Sequence, residues 1–143
     1  TDMLQKKLLV ATLAVVTALA SLAVIVGCSS QPKTLEDYFK AHESEWQEIQ
    51  SQLESSAQGV FTVDLTVKGN QISQIMTYAS TYSADAVERM TESFQKNAPE
   101  LKTSIESQLA SVEEEVNIKG ISWYFSYRNG DGATIYELTV GGN

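Results

Sequence analysis

One cysteine, one histidine and two prolines are all that the 143 residues hold of these types. A lone cysteine, Cys28, cannot close an intramolecular disulfide, and with His42 as the single imidazole there is no Cys/His cluster for zinc, haem or an iron–sulfur centre. Positive charge is scarce as well: Lys and Arg number 10 against 18 Asp and Glu, a formal net charge of -8. No basic stripe is available to displace counterions from phosphates, so no nucleic-acid partner is expected. Serines are plentiful, yet none stands in a G-x-S-x-G elbow and no Asp, His and Ser set suggests a triad. Carboxylate pairs such as Glu36/Asp37 and Glu43/Glu45 fall on the solvated side of a helix. With no catalytic constellation, the chain reads as a non-enzyme.

What is abundant is grease at the start. Lys6 and Lys7 are followed from Leu8 to Val26 by Leu, Val, Ala and Ile, interrupted only by Thr12, Thr17 and Ser21. Met3 is the expected initiator of this targeting segment. A run of this length also suffices to span a bilayer, so its exit has to discriminate. "IVGC", residues 25–28, matches a lipobox: aliphatic residues, a small residue, then Cys. Ile25 stands where Leu is commonest and Val26 where a smaller residue is commoner. The expectation is a lipoprotein signal peptide over 1–27, cleavage before Cys28, and a covalent diacylglycerol on its thiol, with no other cofactor. Each buried methylene adds about 0.8 kcal/mol of membrane affinity, and two acyl chains hold a protein that one would release. "SSQPK" then makes 28–33 a lipidated tether, and 34–143 a single domain on the outer face of a bacterial cytoplasmic membrane.

Within that domain the hydrophobic period alternates. Leu35, Phe39, His42, Trp46, Ile49 and Leu53 recur at threes and fours, with Thr34 placed to cap, which predicts one helix over 34–55. Phe61, Val63, Leu65 and Val67 switch to period two, and Gly69-Asn70 supplies the turn into a second strand carrying Ile72, Met76 and Tyr78 on one face. From Ser83 the helical period returns through Val87, Met90, Phe94, Leu101, Ile105, Leu109 and Val112. The expected helix is long and kinked at Pro99, or split there, and ends before Glu113–Glu115, whose charge opposes a C-terminal macrodipole. Ile121, Trp123, Phe125 and Tyr127 form one face of a third strand, and Tyr136, Leu138 and Val140 that of a fourth. The order αββαββ predicts an α+β fold with helices packed on one face of a four-stranded antiparallel sheet.

"NGDG" at 129–132 would put Asn129, Asp131 and Gly132 at the third, fifth and sixth places of a calcium loop. Tyr127 and Leu138 then fall at the first and twelfth, where carboxylates are required, so the stretch reads as a hairpin turn. The open sheet face is expected to be polar, interrupted by Ile75, Tyr124 and Ile135. Those three are the candidate patch for a protein or cell-envelope partner; ordinary cross-strand pairing is the plainer account. A second candidate is a small-ligand pocket between helices and sheet lined by Tyr38, Trp46, Phe94 and Trp123, aromatics that serve equally as core.

"CSS" after the signal, "TLEDYFKAHESEWQEIQSQLE", the "VDLTVKGNQI" hairpin and "YRNGDGATIYELTV" together resemble small lipoproteins of Gram-positive gut and soil bacteria that carry one uncharacterised domain. The resemblance spans essentially the whole of the chain after the signal. It implies membrane anchoring and an α+β domain, and it implies no activity or site residues.

Overall fold

The computed structural model describes residues 32–143, so the expected signal peptide, Cys28 and most of the tether lie outside the described residues. The elements are α1 (Leu35–Ala41), α2 (Glu43–Ala57), β1 (Phe61–Lys68), β2 (Gln71–Tyr78), α3 (Ala84–Val116), β3 (Ser122–Arg128) and β4 (Thr134–Gly141). The fold is α+β, with the helices packed against a four-stranded sheet of order β1-β2-β3-β4.

Thr34 caps α1 as its position suggests, its hydroxyl accepting the Asp37 N–H at 3.1 Å. The single helix expected over 34–55 is two, broken at His42 (φ -126°, ψ 43°). There the ring Nδ1 meets the Tyr38 carbonyl oxygen at 2.8 Å, so it carries the proton and supplies a bond the backbone no longer makes. The imidazole also stacks on the Tyr38 ring at 4.4 Å. Apolar spacing passes through the break undisturbed, because Phe39 and Trp46 still pack ring against ring at 4.4 Å.

Both hairpins are antiparallel, but the central pair β2·β3 is parallel, from Gln71↔Ser122 to Thr77↔Arg128. The sheet is therefore mixed, which corrects the all-antiparallel expectation. A tight turn can only reverse a strand, whereas α3, 33 residues long, carries the chain from the end of β2 back to the end where β2 began. The 3.6-residue period gave the helix; what it did not give was the direction in which the next strand enters.

α3 runs through Pro99 without interruption. Pro99 and Gln95, whose carbonyl loses its helical donor, are both exposed, so the freed carbonyl faces solvent and not the core. Asn97 donates to the Ser93 carbonyl at 2.8 Å and Thr103 to that of Pro99 at 3.0 Å. The helix also continues through Glu113–Glu115 to Val116 and closes on Asn117 in the left-handed region (φ 53°). Val112, Val116 and Ile118 are buried across this turn. Burying one valine is worth roughly 1.5–3 kcal/mol, more than the roughly 0.3–1 kcal/mol that a carboxylate costs at an exposed C-terminus. Glu113 adds a bond of its own, its Oε2 accepting the Gly120 N–H at 3.3 Å.

Two asparagines lock the hairpin turns to the chain that crosses them. Asn70 Oδ1 accepts the Leu35 N–H at 3.0 Å and its Nδ2 donates to the Lys119 carbonyl at 3.1 Å, joining the β1–β2 turn to the start of α1 and to the α3–β3 connection. At the other end buried Asn129 pairs with the backbone of Tyr82, accepting its N–H at 2.8 Å and donating to its carbonyl at 3.0 Å. That fixes the β3–β4 turn against the β2–α3 connection.

Candidate functional site

Register places the residues of the open sheet face in cross-strand rows. One row is Asp64, Ile75, Ser126, Glu137; the next is Thr66, Ser73, Tyr124, Thr139. Ile75 and Tyr124 therefore lie on neighbouring strands in adjacent rows, both half-buried. The Tyr124 hydroxyl donates to Glu137 Oε2 at 2.8 Å, which holds the ring in one orientation along the sheet. Arg128 donates from Nε to the Ser126 hydroxyl at 3.4 Å, and Ser126 is 0 % exposed among these larger neighbours.

Ile135 does not join them. It is 7 % exposed and belongs to the hydrophobic core. Tyr127 pairs with Tyr136 but Arg128 pairs with Thr134, so Ile135 is the extra residue of a bulge. Such an insertion shifts the alternation by one and removes the residue from the face that strict counting assigns. Thr91 of α3 donates to the Ile135 carbonyl at 3.2 Å as well as to that of Val87 at 2.9 Å, tying the bulge to the helix. The expected trio thus reduces to Ile75 and Tyr124. Arg128, which the sequence reading did not single out, takes part in this face; the same alternation that selects Ser122, Tyr124 and Ser126 reaches it at the next step.

The four aromatics expected to line an inner pocket are placed apart. Tyr38 stacks on His42, and Trp46 leans on Phe39. Phe94 packs against Tyr127 at 4.4 Å and stacks on Tyr136 at 5.4 Å. Trp123 is fully buried and parallel to Phe125 at 5.5 Å. All four serve the packing of the core or its margin.

Trp46 also lines a groove of about 470 Å³ between α1, α2 and β1, together with Glu36, Phe39, Lys40, Glu43 and Val67. The Gly69 N–H (2.8 Å) and the Lys40 ammonium (2.8 Å) each hold one oxygen of Glu36. The Gly69 bond first, then Lys40, keeps the Glu36 carboxyl below the usual carboxylate range, and the same contact raises Lys40. Glu43 accepts a long bond from Gln47 of the same helix at 3.4 Å.

Polar groups also occur in the core. Gln74 sits on the covered face of β2, 0 % exposed, with its Nε2 donating to the Met76 sulfur at 3.4 Å. Its Oε1 and the Trp123 Nε1 have no hydrogen-bond partner among the described residues. "NGDG" is a turn: Gly132 takes φ +88°, Asp131 Oδ1 accepts the Ala133 N–H at 2.9 Å, and the Asn129 amide is committed to Tyr82. Among the described residues no three His, Cys, Asp or Glu side chains come together to hold a metal ion, and no helix is long and apolar enough to cross a membrane.

A family model described as a domain of unknown function matches residues 35–140, from the first residue of α1 to the end of β4. No curated protein and no solved structure matches the chain.

Proposed function

Starting from the chain's membership of the DUF4854 family, whose description assigns no activity, we propose that it is a non-catalytic binding module, held by a lipid on Cys28 at the outer face of the cytoplasmic membrane. It engages a protein or another component of the cell envelope through the open sheet face around Tyr124 and Ile75. The observation that carries this reading is the Tyr124–Glu137 bond of 2.8 Å. A large ring already fixed in place loses little rotamer freedom when a partner covers it, which is what makes an aromatic side chain an effective anchor. Ile75 beside it adds apolar area, while Arg128, Glu137 and Asp64 supply polar groups for a rim.

Anchoring and docking are tested separately. Cys28→Ser is expected to abolish lipid labelling and to leave a larger, unprocessed precursor; a variant that partitions and migrates like the parent removes the lipoprotein reading. For docking, partners crosslinked in whole cells are compared between the parent, Tyr124→Ser and Ile75→Ser. Both substitutions lie outside the packed core, so folding persists, and the crosslinked species is expected to disappear. An unchanged crosslinking pattern in both variants removes the open face as the contact surface.

A further inference from the structure

The groove at Trp46 is a second surface, separate from the open sheet face and independent of any lipid at Cys28. Its floor is apolar, made by the Phe39 and Trp46 rings in contact at 4.4 Å and by half-buried Val67. One side of it is Val67 of β1, which is an edge strand of the sheet. β1 pairs with β2 alone, so among the described residues its outer backbone groups along Phe61–Lys68 have no strand beside them. A groove between a helix and a free strand edge fits an extended chain, which bonds main chain to main chain and drops alternate side chains inward.

Charge selects which chain. From Leu35 to Ala57 the helices carry Glu36, Asp37, Glu43, Glu45, Glu48 and Glu54 against Lys40 alone, and Lys40 is already paired with Glu36 at 2.8 Å. On α2, Glu43, Gln47, Gln50 and Glu54 recur at four, three and four, a column that flanks Trp46 and contains no cation. Lys68, at the end of β1, is a second cation on the Glu36 side, so the carboxylates with no cation on their own helix are those of α2. We propose that this groove docks an extended peptide segment rich in lysine or arginine, which adds to the β1 edge and seats an apolar side chain against Phe39 and Trp46. An acidic or neutral segment of the same shape gains the main-chain bonds and meets repulsion or indifference along α2.

The probe is a short synthetic peptide alternating lysine with valine, and the control replaces each lysine by glutamate. Titrated into isotopically labelled full chain in detergent, the lysine peptide alone is expected to shift the β1 amides from Phe61 to Lys68 and the Trp46 indole. Trp46→Ala is expected to weaken binding roughly thirty-fold, the scale of an aromatic anchor. Glu43→Lys, an exposed site outside the core, is expected to weaken it roughly two- to five-fold, the range of a surface ion pair. Equal binding of the two peptides, shifts confined to the sheet face around Tyr124, or no binding at all overturns the proposal. So does spermidine reproducing the Trp46 shift without β1, which assigns the groove to a small organic cation. Concentration-dependent β1 shifts without peptide assign it to a second copy of the chain, and equally overturn the peptide reading.

Discussion

Replacing Gln74 by methionine is expected to make the domain more stable. The amide is completely buried on the covered face of β2, its Nε2 reaches only a thioether at 3.4 Å, and its Oε1 has no partner among the described residues. A buried polar group left in that state carries a penalty of about 1–3 kcal/mol. Methionine has the same unbranched length and adapts to irregular gaps, so neither cavity nor overpacking offsets the gain. The cost on the other side is the bond to Met76, a weak one because sulfur is a poor acceptor. A net gain near the lower half of the range, about 1–2 kcal/mol, raises the melting temperature by roughly 4–8 °C per kcal/mol for a small domain. Urea unfolding followed by circular dichroism measures it, with an unchanged slope confirming that the same surface is exposed on unfolding. A loss of stability at unchanged slope refutes the reasoning, since it means that the Gln74 carbonyl makes an interaction worth more than its burial costs. Gln74→Ala serves as the contrast: it removes the same amide but leaves a void, and is expected to fall below Gln74→Met.

Asn129→Ala removes both bonds to Tyr82 and is expected to cost about 2–3 kcal/mol, because it leaves a backbone N–H and C=O of the β2–α3 connection unpaired; chemical denaturation measures the loss, and amide exchange locates it in residues 79–83. Burial first, then Tyr127 and Tyr82, pushes the Tyr78 hydroxyl well above the usual tyrosine value. Since the folded state disfavours its ionised form, the associated stability is fully present below the usual value and is lost as pH rises from there towards the folded one. Alkaline unfolding monitored by tyrosinate absorbance is expected to shift to higher pH in Tyr78→Phe, and an identical alkaline limb in that variant counts against the assignment.

Much of this architecture was readable from local patterns because local patterns create it. Phe61, Val63 and Leu65 alternate with Thr62, Asp64 and Thr66, and the structure buries the first set and exposes the second. Met90, Phe94, Leu101, Ile105, Leu109 and Val112 follow a helical stripe, and all are buried along α3. What was not readable came from outside the window. Parallel pairing of β2 with β3 depends on where α3 returns the chain, which no turn signal reports. The break at His42 is accompanied by an imidazole bond to a carbonyl four residues back, made by a residue whose spacing fits the apolar stripe and so hides the break. Ile135 was misassigned because a one-residue bulge inverts the count from there on. Gln74 was passed over between Ile72 and Met76 because its polarity hides its position on the core face. The groove at Trp46 is assembled from α1, α2 and β1, three stretches that meet only in the folded chain.

The lengthwise seam between β2 and β3 has a consequence for assembly. Each hairpin closes within a few residues of its own turn, whereas the seam must bring residue 71 to residue 122. Without that seam the sheet is two half-sheets, each with a raw inner margin open to any other chain. Closing that margin within the chain is what denies a neighbouring molecule a strand to zip onto.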